Sequence, residues 1–147
     1  MSSLPIPDPV LEPTARGRVL AWTLAALTLA ANIAGYALDL YQRFGWFDRV
    51  LHGCTILAIT FWLGLFVFAR SLHPRHGRDL VAMFLLACAG IALGALWEVA
   101  EWGADLVLPG DVIKGKNDTV LDLIMDTAGA LVGAAFAISC LRSRPAV

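Results

Sequence analysis

Four apolar segments, at about 19–38, 50–69, 80–102 and 120–141, take up most of the chain. Each is close to the ~20 residues that an α-helix needs to cross a ~30 Å hydrocarbon core. Inside that core there is no water to satisfy backbone N–H and C=O groups, so a spanning segment must bond to itself as a helix or close into a barrel. None of the four alternates with period two as a barrel strand would. The expected fold class is therefore all-α, a polytopic membrane protein built as a bundle of four transmembrane helices. Composition agrees: 59% of residues are hydrophobic and 16% charged, against roughly 25% charged in soluble proteins.

The segments also set the expected domain limits. Residues 1–18 carry four prolines and no helical period, and read as a disordered cytosolic tail. Residues 19–141 form the transmembrane domain, and 142–147 a second cytosolic tail. A signal peptide is a weaker reading of the first segment, because its polar lead is long and its apolar stretch exceeds a usual signal core. Cys54, Cys88 and Cys140 lack CxxC spacing and fall inside apolar stretches, so they read as small core residues. The net charge of −1 and the lack of a basic run exclude a nucleic-acid surface.

Orientation follows from lysine and arginine. Arg16, Arg18, Arg70, Arg75, Arg78, Arg142 and Arg144 fall on the side of the termini, against Arg43, Arg49, Lys114 and Lys116 on the other. Seven against four places both termini in the cytoplasm. The acids run the opposite way: Asp39, Asp48, Glu98, Glu101, Asp105, Asp111, Asp118, Asp122 and Asp126 belong to the outer half, nine of the chain's twelve.

The stretch NDTVLDLIMDTAG, residues 117–129, sends Asp118, Asp122 and Asp126 in succession toward the membrane. Asp118 stands at a helix start, where the dipole and free amides favour a capping role. At 1.5 Å per residue, Asp122 lies about 6 Å and Asp126 about 12 Å further in. A lone carboxylate at depth costs at least ~2.5 to 3.5 kcal/mol, so Asp126 must be protonated, paired, hydrated or bound to a cation. Asp122, Asp126, Gly129 and Gly133 share one helical stripe. Gly90, Gly94, Glu98, Glu101 and Asp105 repeat the pattern on the preceding helix. Small residues let helix backbones approach in lipid, so these two helices are expected to pack glycine face to glycine face, aiming both sets of acids at one outer cavity. Asp48 and His52, one turn apart in GWFDRVLHG, with Thr55, supply another wall, and Asn32 and Asp39 are candidates from the first helix.

Blander readings stand beside these. Trp46, Trp97 and Trp102 fit an interfacial aromatic belt. His73 and His76 lie in a proline-containing loop and read as solvated. Glu98 and Glu101 fit interfacial charges paired with Arg43, Arg49 or the two lysines. The glycine pairs suit packing within one chain better than a dimer face.

The succession FDRVLH, WEVAEW and NDTVLDLIMDTAGALVG resembles the YjdF-like family of small bacterial inner-membrane proteins, related to the VanZ-like family. The likeness runs from about Tyr41 to Gly133. VanZ-like proteins show an acid and a His one turn apart, then E-x-x-Q, then an acid leading to N-x-x-G. The resemblance thereby marks Asp48 and His52, Glu98 and Glu101, and Asp122 with Asp126 and Gly129. Glu101 stands where VanZ-like members have Gln, and Asp126 where they have Asn, which favours the YjdF-like assignment. That family implies a bacterial inner-membrane protein of about four helices without an established reaction.

Three functions fit these residues. One is metal-assisted chemistry on a lipid-linked or headgroup substrate, with Asp48, His52, Glu98, Glu101, Asp122 and Asp126 as candidate ligands. In that reading Asp48, His52, Glu98 and Asp126 are the catalytic candidates, with His52 as general base, and carboxylates with one imidazole suit Mg²⁺, Mn²⁺ or Zn²⁺. The second is a proton- or cation-coupled carrier, which at four helices calls for a homodimer. The third is an accessory membrane protein whose polar cluster fixes helix packing. Membrane lipids are the expected surroundings in all three.

Overall fold

The computed structural model describes residues 10–69, 80–108 and 112–144. It contains helices α1 (Ala15–Ala37), α2 (Leu40–Arg43), α3 (Phe47–Leu63, continued by the π-helical turn Gly64–Phe68), α4 (Leu80–Asp105) and α5 (Lys116–Ser139). Strands β1 (Val10–Pro13) and β2 (Leu141–Arg144) flank them. Four helical stretches, Ala15–Ala37, Phe47–Phe68, Leu80–Asp105 and Lys116–Ser139, are long and apolar enough to cross a membrane. The expected four-helix membrane bundle is the architecture found.

Helix ends fall a few residues from the expected limits, and the segments next to both termini differ in kind. The run to Arg18 expected to be disordered is ordered from Val10: β1 pairs antiparallel with β2, Val10 opposite Arg144 and Pro13 opposite Leu141. The physical reason is local. Thr14 caps α1 by accepting a hydrogen bond from the Gly17 amide at 3.0 Å, and its own amide donates to the Cys140 carbonyl at 2.9 Å. β1 and β2 are thereby held together on one side of the bundle, and the start of the expected second tail is strand. The loop bearing His73 and His76 lies outside the described residues.

α3 and α5 form the closest helix pair, α4 closes against both, and α1 lies along α3. Trp22 of α1 meets Trp62 edge-on at 5.7 Å and Phe66 at 5.9 Å. Toward the strand end the interior is dry, built from Ala21, Phe61, Leu65, Leu86, Ala87, Ala134 and Ala137.

The glycines do not meet one another as expected. A Cβ on Gly129 would strike the Gly53 carbonyl oxygen, and one on Gly133 would strike the Leu57 carbonyl at 2.6 Å, so the α5 glycine stripe packs on α3. The α4 glycines receive side chains instead. Gly90 faces Thr60 and Ala130, and Gly94 faces Asp126. The α4 stripe thus makes room for a carboxylate where a larger residue would push it out. The cysteines are also misjudged by the sequence: Cys54 and Cys88 are exposed on the helix surface, where a small thiol against lipid carries no penalty.

Candidate functional site

At the end away from the strands the same three helices converge on His52. Asp48 begins the first turn of α3, and His52 follows one turn later on the face turned to α4 and α5. Gly94 lets Asp126 of α5 approach α4, and its carboxylate lies 3.4 Å from His52 Nδ1. Glu98 Oε1 is 3.7 Å from the same nitrogen. The other ring nitrogen, Nε2, stands 3.8 Å from both Asp48 Oδ1 and Glu101 Oε1. Four carboxylates from three helices therefore surround one imidazole. Asp122, one turn above Asp126, is buried beside them at 2% exposure.

All six residues singled out by sequence thus come together, but their surroundings are unequal. His52, Glu98, Asp122 and Asp126 are buried, Asp126 completely. Glu98 Oε1, Asp122 Oδ1 and Asp126 Oδ1 are enclosed without a hydrogen-bond partner among the described residues. Buried polar atoms are ordinarily satisfied, because leaving one unpaired costs about 1 to 3 kcal/mol and more when it is charged. Among the described residues, Lys114 Nζ lies 3.4 Å from Asp48 and Arg49 Nη2 lies 3.5 Å from Asp118.

Ligand atoms of His52, Glu98 and Glu101 lie within 4.8 Å of one another, and so do those of Asp48, Asp118 and Asp122. Both triads have the donor types and spacing that a hard or borderline divalent cation takes.

A cavity of about 680 Å³ opens from this cluster. Asp48, His52, Glu101 and Asp126 form its polar floor, while Leu29 and Ile33 of α1 and Leu93 of α4 are among its apolar walls. Its rim includes Asn32 and Thr55, expected from sequence, and Tyr41, which sequence reading did not assign to the site. The Tyr41 hydroxyl donates to Asn32 Oδ1 at 3.0 Å, and the Asn32 amide donates to Thr55 at 3.4 Å, tying α1 and α2 to α3. Burial, with Tyr36, Asp48 and Glu101 nearby, pushes the Tyr41 phenol up to about 12. α2 is too short to leave a helical signal in the sequence; its start is marked by Asp39, in the left-handed region at φ 57°, which Asp tolerates better than most residues. Asp39 turns the chain there and does not line the cavity.

Two further expectations change. Asp105 accepts hydrogen bonds from the Val112 and Ile113 amides at 2.6 and 2.9 Å, so it clamps the loop that carries Lys114 instead of facing the cavity. Asp118 accepts from the Lys114 amide at 3.3 Å, in keeping with a role at the start of α5, but it also reaches the acid triad. Trp46, Trp97 and Trp102 are exposed, as a belt requires, and Trp97 donates to Glu101 at 2.8 Å while lining the cavity.

A relative from Thermotoga maritima, named only "Uncharacterized protein", is 32% identical over 109 residues, covering 72% of this chain and 55% of its own length. The chain thus spans about half the length of that curated relative. No solved structure matches. The family model described as "Predicted membrane protein (DUF2238)" matches residues 15–143, from the start of α1 into β2, and the chain belongs to that family of membrane proteins.

Proposed function

We propose that this is a multi-pass protein of the bacterial inner membrane whose His52 cluster holds a divalent cation and applies it to a lipid-linked or headgroup substrate. The observation that carries the reading is the charge imbalance in a buried place. Asp48, Glu98, Glu101, Asp122 and Asp126 gather about a single imidazole, and among the described residues only Lys114 reaches one of them, from the rim. A cation in their midst balances that charge and occupies the unpartnered oxygens.

His52, Glu98 and Glu101 are the ligands in this reading. Asp126, 3.4 Å from Nδ1, fixes the orientation of the ring, the usual role of a carboxylate beside a metal-bound histidine. His52 then serves as a ligand in place of the general base expected from sequence. Bound there, Mg²⁺, Mn²⁺ or Zn²⁺ would polarise a phosphoryl or carbonyl oxygen. The apolar walls contributed by α1 and α4 suit the chain of a lipid whose polar head rests on the acidic floor. The lysine and arginine count supports an outward-facing site with both termini cytoplasmic. The YjdF-like assignment and the VanZ-like relation belong to the same reading, supported by the three motifs whose residues stand together around His52.

Elemental analysis of detergent-purified, dialysed protein tests it. One or more equivalents of a divalent cation are expected, with the content falling in a monodisperse His52→Ala variant. Metal-free protein whose melting temperature does not move with added Mg²⁺, Mn²⁺ or Zn²⁺ defeats the reading and favours an accessory protein or a proton-coupled carrier.

A further inference from the structure

We infer that the protein has a second divalent-cation site, formed by Asp48, Asp118 and Asp122 beside the His52 site. The inference rests on the cation reading of His52 but uses different ligands. Sequence alone treats the acids as one set and gives Asp118 to capping. The structure groups them in two: oxygens from Asp48, Asp118 and Asp122 lie within 4.8 Å of one another, and so do ligand atoms of His52, Glu98 and Glu101.

Three acids at a helix start carry no weight by themselves, since carboxylates are favoured there anyway. The second observation is Asp122. Its side chain is 2% exposed, and its Oδ1 is buried without a hydrogen-bond partner among the described residues. Arg49 and Lys114 do not reach it; they hold Asp118 and Asp48 at 3.5 and 3.4 Å, longer than the ~2.7 to 2.9 Å of a well-formed charge-assisted bond. Both are long side chains about one-third exposed, so they can swing outward when a cation enters. The inner oxygen of Asp122 then gains the partner it lacks. All-carboxylate ligation selects a hard ion, Mg²⁺ or Mn²⁺, where the His-containing site also accepts Zn²⁺. Asp48 joins the sites, since its Oδ1 lies 3.8 Å from His52 Nε2.

Mn²⁺ titration of the full chain in detergent, following the spectrum of free Mn²⁺ by electron paramagnetic resonance, separates the outcomes. Two bound ions per chain are expected in the wild type, and one in Asp118→Asn and in Asp122→Asn. Arg49→Gln keeps every ligand and removes a competing charge, so it should bind the second ion roughly two- to fivefold more tightly, the scale of a part-exposed ion pair. A single ion in the wild type overturns the second site and leaves the first standing. Two ions in all of wild type, Asp118→Asn and Asp122→Asn also overturn it, by placing the second ion elsewhere. No bound ion in the wild type defeats both.

Discussion

The two ends of the α3–α4–α5 interface are built from the same small-residue stripes and filled with opposite chemistry. At the strand end, Gly133 meets the α3 backbone and Gly64 receives the Ala137 and Leu86 side chains, with Phe61 and Leu65 filling what remains. At the other end Gly129 meets the α3 backbone at Gly53 and Gly94 receives Asp126, and the space between the helices holds His52, Glu98, Asp122 and Asp126. In lipid there is no hydrophobic gain from pressing helices together, so close packing and polar contacts carry the association. Packing stabilises the strand end. The polar end makes the bundle dependent on whatever balances its carboxylates, and this difference can be broken from either side.

The largest effect is expected where both ends lean on one contact. Gly129 sits against the Gly53 carbonyl oxygen, which is backbone and cannot turn aside. Gly129→Leu should therefore part α3 from α5 and cost more than about 3 kcal/mol, the upper range for overpacking. Loss of a cooperative melting transition in detergent is the expected readout; a wild-type melting temperature would show that the helices are not held at that distance.

Next comes the polar end alone. In an excess of Mn²⁺ about a hundredfold above its dissociation constant, each occupied site should add about 2.7 kcal/mol to the wild type over its ion-free form. His52→Ala should lose the share of the His52 site while its ion-free stability changes far less. An equal ion-induced rise in both proteins would separate the ion from His52.

Phe61→Ala tests the dry end. The ring is fully buried and meets Phe136 edge-on at 6.3 Å. Its loss costs 3 to 5 kcal/mol in water-soluble cores, but in lipid only the packing part applies, so about 2 kcal/mol is expected, with Mn²⁺ stoichiometry unchanged. Altered stoichiometry would mean that the two ends are coupled.

This division explains what the sequence disclosed. Segment length and hydropathy dictate four spans regardless of packing detail, and helical periodicity placed Asp48 with His52 and Asp122 with Asp126 correctly on their own helices. The partners of each stripe were not legible. Gly90 and Gly94 look like a mate for Gly129 and Gly133, yet a glycine can accept either backbone or a side chain, and only three-dimensional packing shows that α4 accepts Ala130 and Asp126 while α5 meets α3. The four-residue strands were hidden for a related reason: VLEP and LRSR are too short to show alternation, and pair only because α1 and α5 bring them together. Asp105 carried the same stripe signal as Glu98 and Glu101, but lies close enough to the helix end to bond the following loop.

The smallest effect concerns the cavity rim, where neither packing nor ion binding dominates. Tyr41 packs edge-on against Phe47 at 5.2 Å and donates its hydroxyl to Asn32. Tyr41→Phe keeps the ring and removes one neutral hydrogen bond, so about 1 kcal/mol should be lost, with both cation sites intact. The pH dependence gives an independent sign. The folded phenol is raised to about 12 from its ordinary 10.0, so the native state holds its proton more tightly than the unfolded chain does. Its contribution is fully present below pH 10 and is lost as pH rises toward 12. Thermal unfolding followed across that window should show a steeper decline for the wild type than for Tyr41→Phe. Parallel declines would show that the Tyr41 phenol is as free to ionise in the bundle as in the unfolded chain, and the polar rim would then be open to water along its whole length.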